Sequence, residues 1–86
     1  MHDFHLADKI LNLILEKAKE NKFKKVLKIK IGLGKIIEHN KQISPENLKY
    51  NLKLLAKGTM AEKARIEIIS FKKDSFILEE ISGEKI

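Results

Sequence analysis

The apolar residues of this chain recur every three to four positions at its start and every second position soon afterwards. That change of period limits what the chain can fold into more than any other feature. Ala7, Ile10, Leu11, Ile14 and Ala18 stand at i, i+3, i+4, i+7 and i+11, one face of a helix, with Leu6 and Leu15 on its flanks. The spacing predicts a helix over about residues 4–19, with Asp3 as its N-cap and Asn21 near its end. Over residues 26–34, Leu27, Ile29, Ile31 and Leu33 alternate with Lys28 and Lys30, which predicts a half-buried strand with its lysines in water. Gly32 and Gly34 mark the strand's exit. A phosphate loop would need a third glycine and a helix opening directly after it, and Lys35-Ile36-Ile37 supplies neither.

Residues 35–43 read as a polar connection containing Glu38 and His39, the histidine being read as solvated rather than as a ligand. Ser44-Pro45-Glu46-Asn47 has the form of a helix start: a hydroxyl at the N-cap, proline at the first helical position and an acid in the first turn. Leu48, Leu52, Leu55 and Ala56 keep helical spacing up to Lys57, and Gly58 suits the position just past the end. Residues 59–64 lead to a second strand, where Ile66 and Ile68 alternate with Arg65 and Glu67. Lys72-Lys73-Asp74-Ser75 reads as a turn, residues 76–81 as a third strand and Ser82-Gly83 as its end. The last two strands are expected to pair as a hairpin.

The result is an α/β (α+β) two-layer sandwich in the order α-β-α-β-β, one domain over residues 1–86, with two helices on one face of a three-stranded mixed sheet. The helix between the first two strands implies that they run parallel if they are neighbours. Lys28, Lys30, Arg65 and Glu67 belong to the wet face. Two open sheet edges are compatible with either a monomer or a homodimer.

Composition narrows the function. The net charge of +6 comes from 17 lysines and a single arginine against 12 acids. That balance suits an acidic partner, nucleic acid or a heat-adapted source. Base-reading proteins add arginine forks and exposed aromatics, and here one arginine and five aromatics argue against nucleic acid and for a solvated lysine face. No apolar run is long enough to span a membrane and the start has no signal-peptide block, so a cytoplasmic protein is expected. Cysteine is absent, so no thiolate zinc site and no structural zinc are expected. No nucleophile–base pair or paired-carboxylate arrangement is visible, and the chain is not expected to be an enzyme.

The strongest chemical signal is Met1-His2-Asp3-Phe4-His5. The α-amine of Met1, the backbone nitrogen and imidazole of His2 and the carboxylate of Asp3 can close adjacent chelate rings on one ion. Such nitrogen-rich sets suit Ni(II) or Cu(II). His5 offers a further imidazole. A chance histidine, a remnant of expression and a plain N-cap role for Asp3 are the alternative readings.

The same residues open a wider resemblance. Residues 1–7 resemble the N-terminal signature of the HypA/HybF nickel metallochaperones, which usually begins Met-His-Glu. Ile31-Gly32-Leu33-Gly34 looks like the end of that family's first strand. Ile43-Ser44-Pro45-Glu46-Asn47-Leu48 and Lys57-Gly58-Thr59-Met60-Ala61-Glu62-Lys63-Ala64 are similar to its second helix and following connector. The resemblance implies transient Ni(II) binding centred on Met1, His2 and Asp3, with His5 as a possible extra. It also implies delivery for [NiFe]-hydrogenase maturation, with a HypB-type GTPase and the hydrogenase large-subunit precursor as partners. The family's zinc module, two Cys-x-x-Cys pairs after the second strand, has no counterpart here, and a short turn near residues 72–75 takes its place. Lys35 stands where the family has glutamate and Lys63 where it has glycine. An interaction module without metal duty, binding an acidic protein, is the alternative function.

Overall fold

Helix α1 (His5–Glu20) buries the stripe read from its spacing in the computed structural model, which describes residues 5–38 and 40–86. Ala7, Ile10, Leu11, Ile14 and Ala18 all lie in the core, as does Leu6. Asn21 closes the helix twice, its backbone N–H and its Nδ2 both donating to the Lys17 carbonyl at 3.0 and 2.8 Å. Lys22 then turns the chain at φ 59°, a conformation usually left to glycine or asparagine.

Strand β1 (Phe23–Leu33) is the middle of the three-stranded sheet, between β4 (Arg65–Ser70) and β5 (Phe76–Lys85). It runs parallel to β4, with Ile29 opposite Ile66 and Gly32 opposite Ile69, and antiparallel to β5, with Ile29 opposite Ile81. The parallel pairing agrees with the helical crossover. The expected hairpin between the last two strands does not form, because both pair with β1 instead. Residues 71–75 therefore cross over the end of β1 from one flank to the other. Phe71 N–H donates to Leu33 O at 3.1 Å, Gly34 N–H to Ser75 O at 2.8 Å and Lys35 N–H to Lys73 O at 2.6 Å. At Gly34 a Cβ would meet the carbonyls of Lys73 and Ser75, so the crossing passes where only glycine leaves room.

Leu27 is a second correction. It was expected on the core face, but it is 43% exposed, and Val26 takes the core position with no exposed surface. Register shifts at Phe23/Lys25 and Val26/Lys28 leave an extra β1 residue against β5 in each place, and each bulge resets the alternation. Phe23, Val26 and Ile29 thus share the buried face at intervals of three. The strand also begins earlier than the period-two run suggested. Ser82-Gly83 does not end the third strand: β5 continues to Lys85, with Gly83 opposite Val26 and packed so close to the Lys25 carbonyl that a Cβ would collide with it.

Residues 35–43 are not wholly irregular. Strands β2 (Ile37–Glu38) and β3 (Lys41–Gln42) form a small antiparallel ladder, with Asn40 at φ 66° in the turn. Ile36 and Ile43, joined by an Ile43 N–H to Ile36 O bond of 2.8 Å, press this ladder against the core. Helix α2 (Pro45–Ala56) starts as read: Ser44 is the N-cap, and its Oγ accepts the Asn47 N–H at 3.2 Å. Gly58 follows the helix at φ 82°. Thr59 then donates its hydroxyl to Ala56 O at 2.7 Å and accepts the Ala61 N–H at 3.1 Å, folding the connector so that Ala61 and Ala64 are buried.

The two helices cover one face of the sheet. Ile10, Ile14, Val26, Ile29, Ile31, Leu48 and Leu52 form the centre of the shared core. Burying each such side chain is worth about 1.5–3 kcal/mol. The other face carries Lys28, Lys30, Arg65 and Glu67 as expected. It also carries a row in which Gly32 lies between Ile69 and Ile77, both partly exposed.

Candidate metal centre

His5 is the first residue of α1 and is exposed, while the next two residues, Leu6 and Ala7, are buried. The helix start is therefore anchored within one turn, and the His5 side chain stays at the surface. Asp8 adds a carboxylate to that first turn, where the positive end of the helix dipole favours it. Met1, His2 and Asp3, the other expected ligands, lie outside the described residues, as does His39. The N-cap role expected of Asp3 also falls there. Among the described residues no group of three or more histidine, cysteine or acidic side chains converges on a point where an ion could sit.

What the described part supplies is a single exposed imidazole at a helix start whose next two residues are buried, preceded in sequence by Met1, His2 and Asp3, the expected ligands. A nitrogen chelate of that kind needs few groups from the rest of the fold, and it can hold an ion without enclosing it.

Three of the surface hollows among the described residues bear on function, and none was legible in the sequence. One lies at the carboxyl ends of β1 and β4, lined by Leu33, Gly34, Lys35, Gln42 and the crossing at 71–74. The other two run along the two edges of the sheet, beside β4 and beside β5. Each is assembled from segments far apart in sequence, and no local motif marks any of them. Among the described residues, no helix is long and apolar enough to cross a membrane.

The model of the HypA family, described as hydrogenase/urease nickel incorporation, metallochaperone, matches residues 1–75. The hydrogenase maturation factor HypA of Thermococcus sibiricus is 36% identical over 69 residues, covering 80% of this chain and 47% of that protein. The protein of the same name from Legionella pneumophila strain Lens is 30% identical over 86 residues, covering 100% of this chain and 64% of its own length. The chain thus spans between about half and two thirds of these relatives. The solution structure of the Ni metallochaperone HypA from Helicobacter pylori matches with a TM-score of 0.79 over 100% of both chains at 12% identity, a likeness of fold. The family match includes Met1, His2 and Asp3, both helices and the first two strands of the main sheet, and the chain belongs to the HypA family of hydrogenase/urease nickel-incorporation proteins.

Proposed function

We propose that this protein is a nickel carrier that binds Ni(II) transiently at its N-terminus and hands it on for [NiFe]-hydrogenase maturation, without acting as an enzyme. Met1 contributes its amine, His2 its backbone nitrogen and imidazole, and Asp3 or His5 completes the set. The observation that carries this reading is that the family match begins at residue 1, on the same residues that donor chemistry selects. The anchored start of α1 supports it, since it keeps His5, the possible extra ligand, at the surface. A HypB-type GTPase and the hydrogenase large-subunit precursor are the partners this reading implies. On this reading the crossing at 71–75 takes the place of the family's cysteine-bearing module, and client contacts made through that module form no part of the proposal.

The test is calorimetric titration of the tag-free protein with Ni(II), compared with His2→Ala and with protein acetylated at the Met1 amine. Both changes should abolish tight binding and leave the circular dichroism spectrum unchanged. Binding requires the deprotonated amine, whose reference pKa is near ~8, so affinity should be full above that pH and fall as pH drops below it. Unchanged affinity in both altered proteins would refute the site.

A further inference from the structure

The edge of the sheet formed by β5 differs chemically from the rest of the molecule. β5 is an outer strand of ten residues, hydrogen-bonded to β1 on one side only. Beside it runs a groove of about 410 Å³, lined by Leu13 and Lys17 of α1 and by residues 76–81 without a gap. Successive side chains of a strand point to opposite faces. A hollow touched by six consecutive residues therefore follows the strand's rim, along its unpaired N–H and C=O groups. Helix α1 forms the opposite wall, with Leu13 half-buried.

The charge of this rim is opposite to that of the whole. Glu79, Glu80 and Glu84 are exposed on β5, against one lysine, Lys85, in a chain of net charge +6. None of the three glutamates forms an ion pair with a lysine or arginine among the described residues. Lys30 pairs in register with Glu80 and Ile31 with Leu78, which leaves Glu79 as the extra residue of a bulge. The Glu79 carboxylate lies over Gly32, beside the partly exposed Ile77. The rim thus offers backbone hydrogen bonds, apolar surface from Leu13, Leu78 and Ile77, and carboxylates held in no ion pair among the described residues, with Lys30 and Lys25 opposite Glu80 and Glu84 on β1 and Lys17 in the groove wall.

We infer that the β5 edge is a docking site for an extended peptide segment of alternating apolar and basic residues, which adds as a fourth strand between β5 and α1. Strand addition takes its affinity from main-chain hydrogen bonds and its selectivity from alternate side chains. The apolar residues of the segment would rest against Leu13 and Leu78, and its cations would face Glu79 and Glu80. A second copy of this chain fits less well. Antiparallel self-pairing of β5 sets a strand with three glutamates and one lysine against itself, and like charges directly opposite destabilise a ladder. The site is independent of the nickel reading, since none of the residues it is argued from belongs to the expected ligand set.

The probes are two acetylated and amidated hexapeptides, one alternating lysine with valine and one alternating glutamate with valine, titrated into the isotope-labelled protein. Bulk electrostatics favour the acidic peptide on a protein of charge +6, so only a local acidic rim selects the basic one. The basic peptide should shift the resonances of residues 76–81, Leu13 and Lys17 and slow amide exchange along β5. Methylating its alternate backbone nitrogens should abolish binding. The double variant Glu79→Lys, Glu80→Lys, both exposed, should fold normally and lose about tenfold in affinity through lost attraction and new repulsion. Equal binding of the methylated peptide would overturn strand addition. Preference for the acidic peptide, or shifts confined to the β4 edge, would overturn the site. Concentration-dependent dimers held through β5 in sedimentation would overturn the assigned occupant.

Discussion

Replacing Gly34 by alanine tests how the sheet is closed. A Cβ there would lie 2.6 Å from Ser75 O and still closer to Lys73 O, and both are backbone atoms that cannot rotate aside. Relief requires lifting the 71–75 crossing, which is held by the Gly34 N–H to Ser75 O bond of 2.8 Å and the Lys35 N–H to Lys73 O bond of 2.6 Å. Losing both costs about 1–3 kcal/mol at ~1 kcal/mol each. Stiffening the unfolded chain returns about 0.4–1 kcal/mol. The net destabilisation is about 1.3 kcal/mol, and for a domain of this size about 4–8 °C per kcal/mol gives a fall in Tm of about 5–10 °C. Gly32→Ala is the control. Its Cβ would meet Ile77 Cγ2 at 2.9 Å and Glu79 Oε2 at 3.1 Å, side-chain rather than backbone atoms; the Glu79 carboxylate can swing away and the exposed Ile77 can shift, so its cost should stay below about 1 kcal/mol. Urea and thermal unfolding followed by circular dichroism would measure both. Equal cost for the two substitutions, or a Gly34→Ala cost below about 0.5 kcal/mol, would show that the crossing is not fixed as described.

Further substitutions probe the core and a helix end. Ile14→Ala removes a side chain with no exposed surface and should cost about 2–5 kcal/mol in chemical denaturation; a loss below about 1 kcal/mol would contradict its central place. Ser44→Ala deletes the acceptor of the Asn47 N–H and should cost about 1 kcal/mol, read in the same assay, whereas Ser44→Asp should retain most of the stability.

The helices were legible because their signals are local. Ala7, Ile10, Leu11, Ile14 and Ala18 declared a buried face by spacing alone, and Ser44, Pro45 and Gly58 marked the limits of α2 through side-chain and backbone chemistry. The sheet was legible only where it alternates. Leu27 was assigned to the wrong face because a bulge is a relation between two strands, invisible to the spacing within one. Gly83 was read as a terminator because glycine commonly ends strands, whereas here it admits the Lys25 carbonyl of a neighbour far away in sequence. The hairpin expectation failed for a similar reason. A short polar link between two strands looks the same whether it turns back or crosses over a third strand. For the candidate metal centre, the chemistry of residues 1–3 suggests donors, but those residues lie outside the described part, which adds only the anchored helix start at His5. The groove beside β5 had no sequence signature, since its two walls are separated by most of the chain.

The central position of β1 has a consequence during synthesis. This strand emerges early, yet one of its sides waits for residues 65–70 and the other for residues 76–85. Until those arrive, a nascent chain presents an apolar strand with both rims bare, and pairings this distant in sequence form slowly. Lys24, Lys25, Lys28 and Lys30, set within that strand, then act as gatekeepers against association with other unfinished chains, before they take their places on the finished surface.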